Sequence, residues 1–312
     1  MPIVVGAARS GTTLLRLMLD AHPALAIPPE SHFLPACVEL ARGPSPTPEE
    51  LVACVTRSPA KMPAWIDFGI DESVYAASVR RLRRPLSVRD GVREFYRLYA
   101  ALHGKARAGD KTPGYVQQIG AIGELLPEAR FIHIIRDGRG AMASLRHLWF
   151  SPSRDMAELA RYWRAQVNAG RAAAAEGRPV LEVRYEALLE TPEIELRRIC
   201  AFVDLDFDER MLRYYERAAE RLTEHQGRVL PSGETLTPEQ RRAQQASATQ
   251  PLQLARKASW REMLTASDVR RFQAVAADLL GELGYPLVDG PAESNALTSA
   301  QMRSTDSSVS SG

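Results

Sequence analysis

The sequence predicts an α/β fold: a P-loop-like central parallel sheet flanked by helices, with a helical insertion and a disordered C-terminal tail. Three observations predict it. The apolar run Pro2-Ile3-Val4-Val5 passes directly into a loop turning on Gly6 and Gly11, followed by an apolar helical stretch. Arg130-Phe131-Ile132-His133-Ile134-Ile135-Arg136 is a near-continuous apolar strand, suited to the centre of a parallel sheet buried on both faces. Strand-like and helix-like segments alternate along the chain, which calls for parallel strands joined by right-handed crossovers. With 312 residues, 45% hydrophobic and 25% charged, one large domain over 1–287 is expected, followed by a tail over 288–312.

The elements follow in order. A helix from Thr12 to Asp20 turns its free N-terminal amides toward the glycine loop. Leu25-Ala26-Ile27 reads as a short strand, and Pro28-Pro29-Glu30-Ser31-His32-Phe33 as a loop, because its prolines break helix and strand alike. Residues 41–86, rich in Pro and Arg with the cluster Met62 to Phe68, read as a helical insertion that shapes a pocket. Val88, Val92, Phe95, Tyr96, Tyr99 and Leu102 recur at helical spacing, so Ser87 to Leu102 is an amphipathic helix with Ser87 and Asp90 as a capping pair and its aromatics in the core. Gly109-Asp110-Lys111-Thr112-Pro113 ends a short strand before a helix bearing Val116, Ile119, Ile122, Leu125 and Leu126.

Asp137-Gly138 ends the Arg130 to Arg136 strand. Helices are expected at about Gly140 to Trp149 and from Met156 to Ala175, then a strand from Pro179 to Arg184. Residues 224–255, polar and poor in apolar side chains, read as a mobile loop or lid. Val269, Phe272, Val275, Leu279, Leu280 and Leu283 mark a last helix ending at Gly284, and the Ser-, Asn- and Gly-rich stretch from Val288 onward reads as disordered.

Composition narrows the function classes. Lys plus Arg, 40, nearly balance Asp plus Glu, 38, so no overall basic field recruits nucleic acid or an anionic membrane, and any cationic function is local. The chain enters its first strand at once, and no segment approaches the ~20 apolar residues that span a bilayer, so a cytoplasmic protein is expected. Cys37, Cys54 and Cys200 show no C-x-x-C spacing and the histidines no H-E-x-x-H spacing. Neither a disulfide framework nor a metal site is expected. Monomer and homodimer are not distinguished.

The chemistry starts at Gly6 to Thr13, G-A-A-R-S-G-T-T. A nucleoside-triphosphate loop reads G-x-x-x-x-G-K-[ST]. Here Gly6, Gly11 and Thr13 hold their places, and Thr12 stands where the lysine belongs. An anion cradle of loop amides and a helix N-terminus remains, with Arg9 as the cation. A phosphonucleotide needs a second clamp, and strand C-termini are where such sheets bind ligands. Arg136 would leave the sheet as a fixed guanidinium able to engage two phosphate oxygens, with Ser144 on the next helix returning its hydroxyl to the same phosphate.

The runs R-S-G-T-T-L-L-R after the first strand, L-D-A-H-P at the helix end and R-D-x-x-x-x-x-x-S from Arg136 to Ser144 resemble the sulfotransferases that use 3′-phosphoadenosine 5′-phosphosulfate (PAPS). The likeness is to the branch with an arginine in the 5′-phosphosulfate loop, which includes bacterial and tyrosylprotein-type enzymes. It extends over most of residues 2–286, through Tyr185, Thr191-Pro192, Phe202-Val203-Asp204-Leu205 and Arg256-Lys257-Ala258-Ser259-Trp260. The resemblance implies that Arg9, Ser10, Gly11, Thr12 and Thr13 hold the 5′ end, that Arg136 and Ser144 hold the 3′-phosphate, that Tyr185 approaches the adenine, and that Arg256 and Lys257 close over the 3′-phosphate. Ala258 departs from the family's fuller R-K-G signature.

The resemblance further implies in-line transfer of a sulfuryl group from PAPS to a hydroxyl, less readily an amine, releasing PAP with no metal. Glu30 stands where that branch carries its base, and His32 is the rival, with an ordinary pKa nearer neutrality. Lys111 matches a position where an ammonium stabilises sulfuryl oxygens, although an ion pair with Asp110 or another carboxylate is the competing reading. A small-molecule acceptor is expected, lined by 41–86 and 224–255. A tyrosyl-protein acceptor fits less well, because the members that use one carry membrane anchors. Two other classes stay open: a nucleotide or small-molecule kinase, and a non-catalytic phosphonucleotide-binding module.

Overall fold

Four parallel strands organise the computed structural model, which describes residues 1–230 and 232–288. In chain order the strands are β1 (Pro2–Val5), β2 (Leu25–Ala26), β3 (Arg107–Ala108), β4 (Asp110–Lys111), β5 (Arg130–Ile135), β6 (Val180–Arg184), β7 (Arg228–Val229) and β8 (Thr235–Leu236). The central sheet runs β4-β1-β5-β6, with Val4 beside Lys111 and Ile132. The pleat sends Ile3, Val5 and Phe131 into one apolar cluster and Val4, Ile132 and Ile134 into another, which is why β5 reads as a near-continuous apolar run. The strand expected at Leu25 to Ile27 forms, but it pairs with β3 in a separate two-stranded sheet. The C-terminal ends of β1, β4, β5 and β6 deliver Gly6, Thr112, Arg136 and Tyr185 to one edge.

The helix Thr12–Asp20 is buried along almost its whole length under the sheet. The insertion is helical as expected: Pro48–Thr56 starts at a Thr47–Glu50 capping box and Glu72–Arg81 at the Asp71 carboxylate. Its core is aromatic, with the Phe33 and Phe95 rings meeting edge to face at 4.9 Å, and Phe68 and Phe95 also at 4.9 Å. The long helices Met156–Ala175 and Ala266–Glu282 pack together, Trp163 against Phe272.

Several boundaries differ from expectation for local reasons. Ser87 makes no capping bond to the helix Val88–Leu102, and Asp90 faces Arg93 instead. Leu102 is exposed, because the last turn of that helix runs past the core. After Lys111 the chain first forms a 3-10 helix, Pro113–Gln118, before the α-helix Ile119–Leu125. The helix after β5 is Gly138–Leu145: the Asp137 carboxylate accepts from the Arg139 N–H at 2.9 Å and starts it two residues early. Trp149 and Phe150 therefore lie in the following connection rather than on the helix.

The segment 224–255, residue 231 left aside, carries secondary structure that its composition does not announce. It carries the antiparallel β7–β8 hairpin, a helix Pro238–Ala243 with a Thr237–Gln240 capping box, and a 3-10 turn Ala246–Thr249. Its anchor is ionic, which is why no apolar pattern announced it: Asp67 of the insertion is buried and accepts from both Arg228 and Arg241. At the C-terminal end the Val288 N–H donates to Gln273 Oε1 at 3.1 Å, and the remaining tail expected to be disordered, 289–312, lies outside the described residues.

Candidate active site

The glycine loop is shaped by close packing. Gly6 and Gly11 both hold positive φ, and a Cβ on Gly11 would stand 2.4 Å from the Tyr185 ring, so only glycine lets the loop approach the end of β6. Arg9 also sits in the left-handed region at φ 67°, an unusual conformation for a side-chain-bearing residue. It turns the guanidinium into the site, where Nε donates to Ser144 Oγ at 3.0 Å and Nη2 to the Gln244 carbonyl at 3.2 Å.

Arg136 arrives at the same place from β5. Its Nη1 donates to the Arg9 carbonyl and its Nη2 to the Arg256 carbonyl, while the guanidinium lies 4.6 Å over the Tyr185 ring. Burial, then the neighbouring Arg136 charge, push the Arg9 pKa down. Guanidiniums gathered this closely suit an anion, and among the described residues the buried Nε of Arg136 has no hydrogen-bond partner, an unmet donor of the kind a phosphate oxygen satisfies.

Across the same cavity is the loop of Glu30. Lys111, at the end of β4 and almost fully buried, donates to Glu30 Oε1 at 2.6 Å, and His32 Nε2 lies 3.2 Å from Oε2. Burial raises the Glu30 pKa, but the Lys111 ammonium and His32 outweigh it and hold the carboxyl well below the ordinary range. Burial lowers the Lys111 pKa, an effect the Glu30 charge offsets in part. The competing partner, Asp110, instead accepts from the buried Tyr96 hydroxyl at 2.7 Å. The loop is clamped just after the glutamate: Thr112 Oγ1 accepts from the Ser31 N–H, and the Tyr115 hydroxyl meets Ser31 Oγ at 2.8 Å and accepts from the Leu34 N–H. His32 holds φ 56°, a second strained residue at the site.

A cavity of about 650 Å³ joins these groups, within the range of small-molecule sites. Arg9, Gly11, Thr12, Thr13, Arg136, Ser144, Tyr185 and Arg256 line one part of it, and Glu30 and His32 another. From 41–86 and 224–255, Met62, Asp67, His225, Arg228, Arg241 and Gln245 also line the cavity. Burial, then the charges of Arg16, Arg241 and Lys111, bring the His225 pKa down to about 3, so this ring is neutral. Trp149, Phe150 and Met263 line the cavity as exposed apolar side chains.

Four expected site residues stand differently. Lys111 is buried outside the cavity lining and paired with Glu30, the competing ion-pair reading, rather than presented where it would meet sulfuryl oxygens. Ser10 is fully buried and outside the cavity lining, and among the described residues its hydroxyl has no partner. Lys257 is paired with Glu190 outside the lining, because its 3-10 turn points it away from the cavity that Arg256 faces. Ser144 lines the cavity but accepts from Arg9 rather than reaching toward Arg136, so its hydroxyl is engaged by the first clamp and not the second. Thr112, Tyr115, Gln244, His225 and the Asp67 pair were missed because each acts through a partner distant in sequence. The Met62 to Phe68 cluster was the only local signal.

A family model described as the sulfotransferase family matches residues 3–209. Among curated proteins, protein-tyrosine sulfotransferase A of Caenorhabditis elegans is 26% identical over 215 residues, covering 67% of this chain and 51% of that protein. This chain thus spans about half the length of that relative. Among solved structures, the sulfotransferase domain from the curacin biosynthetic pathway has a TM-score of 0.57 at 19% identity, covering 92% of this chain and 98% of that one. The sulfotransferase domain from the Synechococcus PCC 7002 olefin synthase has a TM-score of 0.53 at 24% identity, covering 88% and 94%. At these identities the structural likeness speaks to the fold.

Proposed function

The chain belongs to the sulfotransferase family, and from that premise we propose that it transfers the sulfuryl group of PAPS to a hydroxyl of a small acceptor with an apolar body. The observation that carries this reading is the Glu30 carboxylate, held from behind by the buried Lys111, facing the same cavity as the Arg9–Arg136 cradle. PAPS, when bound, supplies an activated sulfuryl group on a phosphate leaving group, with a second phosphate at its 3′ position.

The residues divide the work by chemistry. The amides at the N-terminus of the helix Thr12–Asp20, the Thr12 and Thr13 hydroxyls and Arg9 hold the 5′ end and neutralise charge there. Arg136, with its unmet Nε donor, and Arg256 hold the 3′-phosphate. Glu30 takes the acceptor's proton. Its pKa is low for a general base, but sulfuryl transfer resembles loose phosphoryl transfer, in which the entering oxygen becomes acidic only as its new bond forms, so a weak ionised base in a fixed position suffices. Lys111 keeps that carboxylate ionised and oriented, and Thr112 and Tyr115 hold its loop still. The 224–255 segment, tied down through Asp67, excludes water.

Trp149, Phe150 and Met263 favour an acceptor with an apolar or aromatic body. A tyrosyl side chain on a protein is the second reading, favoured by the tyrosine sulfotransferase relative. Incubation with labelled PAPS and parallel panels of simple phenols, sugars and tyrosine-containing peptides separates the two. Transfer to phenols but not peptides supports the first reading, and transfer to peptides alone replaces it with the second. Calorimetry with PAP and with ADP tests the donor: ADP binding as tightly as PAP would sink the 3′-phosphate assignment and revive the kinase.

A further inference from the structure

Cys37 and Cys54 share no sequence motif, yet the fold brings their sulfurs to 3.6 Å. Cys37 lies in the helix Leu34–Ala41, which begins directly after the Glu30–His32 loop, and Cys54 in Pro48–Thr56, the next helix of the insertion. Both are free thiols; Cys37 is buried and Cys54 half-buried. At van der Waals contact, closing to a bond of ~2.05 Å requires the sulfurs to approach by only about 1.6 Å.

We propose that Cys37 and Cys54 form a reversible disulfide that staples the helix behind the base loop to the insertion. The oxidant is a low-molecular-weight disulfide such as glutathione disulfide. The Cys54 thiolate, the accessible one, attacks a sulfur of that disulfide, forming a mixed disulfide and releasing one thiolate. Cys37 then attacks Cys54 Sγ, forming the protein disulfide and releasing the second. Both protein thiols lose their protons to solvent, and the two electrons they give up reduce the external disulfide to two thiols. The mutual hydrogen bond favours this order: it lowers the Cys54 pKa and, with burial, raises that of Cys37.

Neither cysteine lines the main cavity, so the staple leaves the nucleotide cradle intact and acts on the rigidity of the segment following Glu30. It would be closed in an oxidising compartment and open where glutathione is kept reduced. Cys200, buried against Met211, is an internal control.

The test uses the folded full chain with glutathione disulfide, read by thiol counting, non-reducing peptide mapping and thermal denaturation. Free thiols should fall from three to one, with Cys37 linked to Cys54 and Cys200 unmodified. The midpoint should rise by roughly 5 °C and return on reduction. Cys37→Ser should stop at a glutathione adduct on Cys54 with no thermal gain. Persistence of all three thiols, a stable Cys54 adduct in the unsubstituted protein, or a linked pair without thermal gain would each overturn the proposal.

Discussion

Replacing Glu30 with Gln separates the base from its surroundings, because the amide keeps the shape and an oxygen for Lys111 but removes the charge. Lys111 is almost fully buried and would face an uncharged partner at the 2.6 Å contact. Breaking a fully buried pair costs about 3–5 kcal/mol, but the Glu30 side chain is 35% exposed to the cavity, where water relieves part of the loss. A stability loss of about 1–2 kcal/mol follows, or a fall in Tm of roughly 2–6 °C. The transfer rate should fall by about 10²- to 10⁴-fold, the usual contribution of a positioned base. Adding Lys111→Met to Glu30→Gln removes the stranded ammonium, so stability should recover while the rate does not. The pH dependence gives a second readout. A carboxyl whose folded pKa is depressed contributes stability above its unfolded value of ~4.3, and that contribution is lost as pH falls through the lower folded value. Neither stability nor rate should therefore carry a Glu30 limb between about pH 5 and 8. Single-turnover rates across that range, measured with labelled PAPS, test this. A Glu30→Gln rate within threefold of the unsubstituted protein would refute the assignment and move the base to His32.

Arg136→Ala should weaken PAP binding by about 10- to 100-fold in calorimetry while leaving ADP binding nearly unchanged, since a charge-assisted bond to the 3′-phosphate is worth about 1.5–3 kcal/mol; equal losses for both nucleotides would contradict the placement. Asp67→Asn removes the carboxylate shared by Arg228 and Arg241, and a stability loss of about 3 kcal/mol with faster proteolysis within 224–255 is expected. Unchanged cleavage at that segment would show that Asp67 is not its anchor. Lys257→Ala should leave PAP affinity within twofold, because its partner is Glu190 outside the cavity, and a tenfold loss would restore it to the site.

The sheet and its loop were legible because they rest on local rules. An apolar run ending in a glycine turn makes a strand and an anion-binding helix start wherever it stands, and β5, buried on both faces, leaves its mark in nearly every residue. Arg9 and Arg136 could be named for the same reason, since each is fixed by the strand end that carries it. Glu30 was reached through a resemblance, and its two partners lie on either side of a distinction sequence does not make: Lys111 could have paired with its neighbour Asp110, and only the register of β4 beside β1 turns the ammonium to Glu30 while Tyr96 takes Asp110.

By itself the sequence determined the α/β alternation, the phosphate loop and the strand-end arginine, all set by side-chain period and backbone conformation within a few residues. Tertiary structure decided that Lys257 turns outward while Arg256 turns inward, that a polar segment orders itself on Asp67, and that Cys37 meets Cys54. Those outcomes depend on ion pairs and contacts between residues far apart in the chain, whose energies exist only once the sheet and the helical insertion have brought the partners within reach.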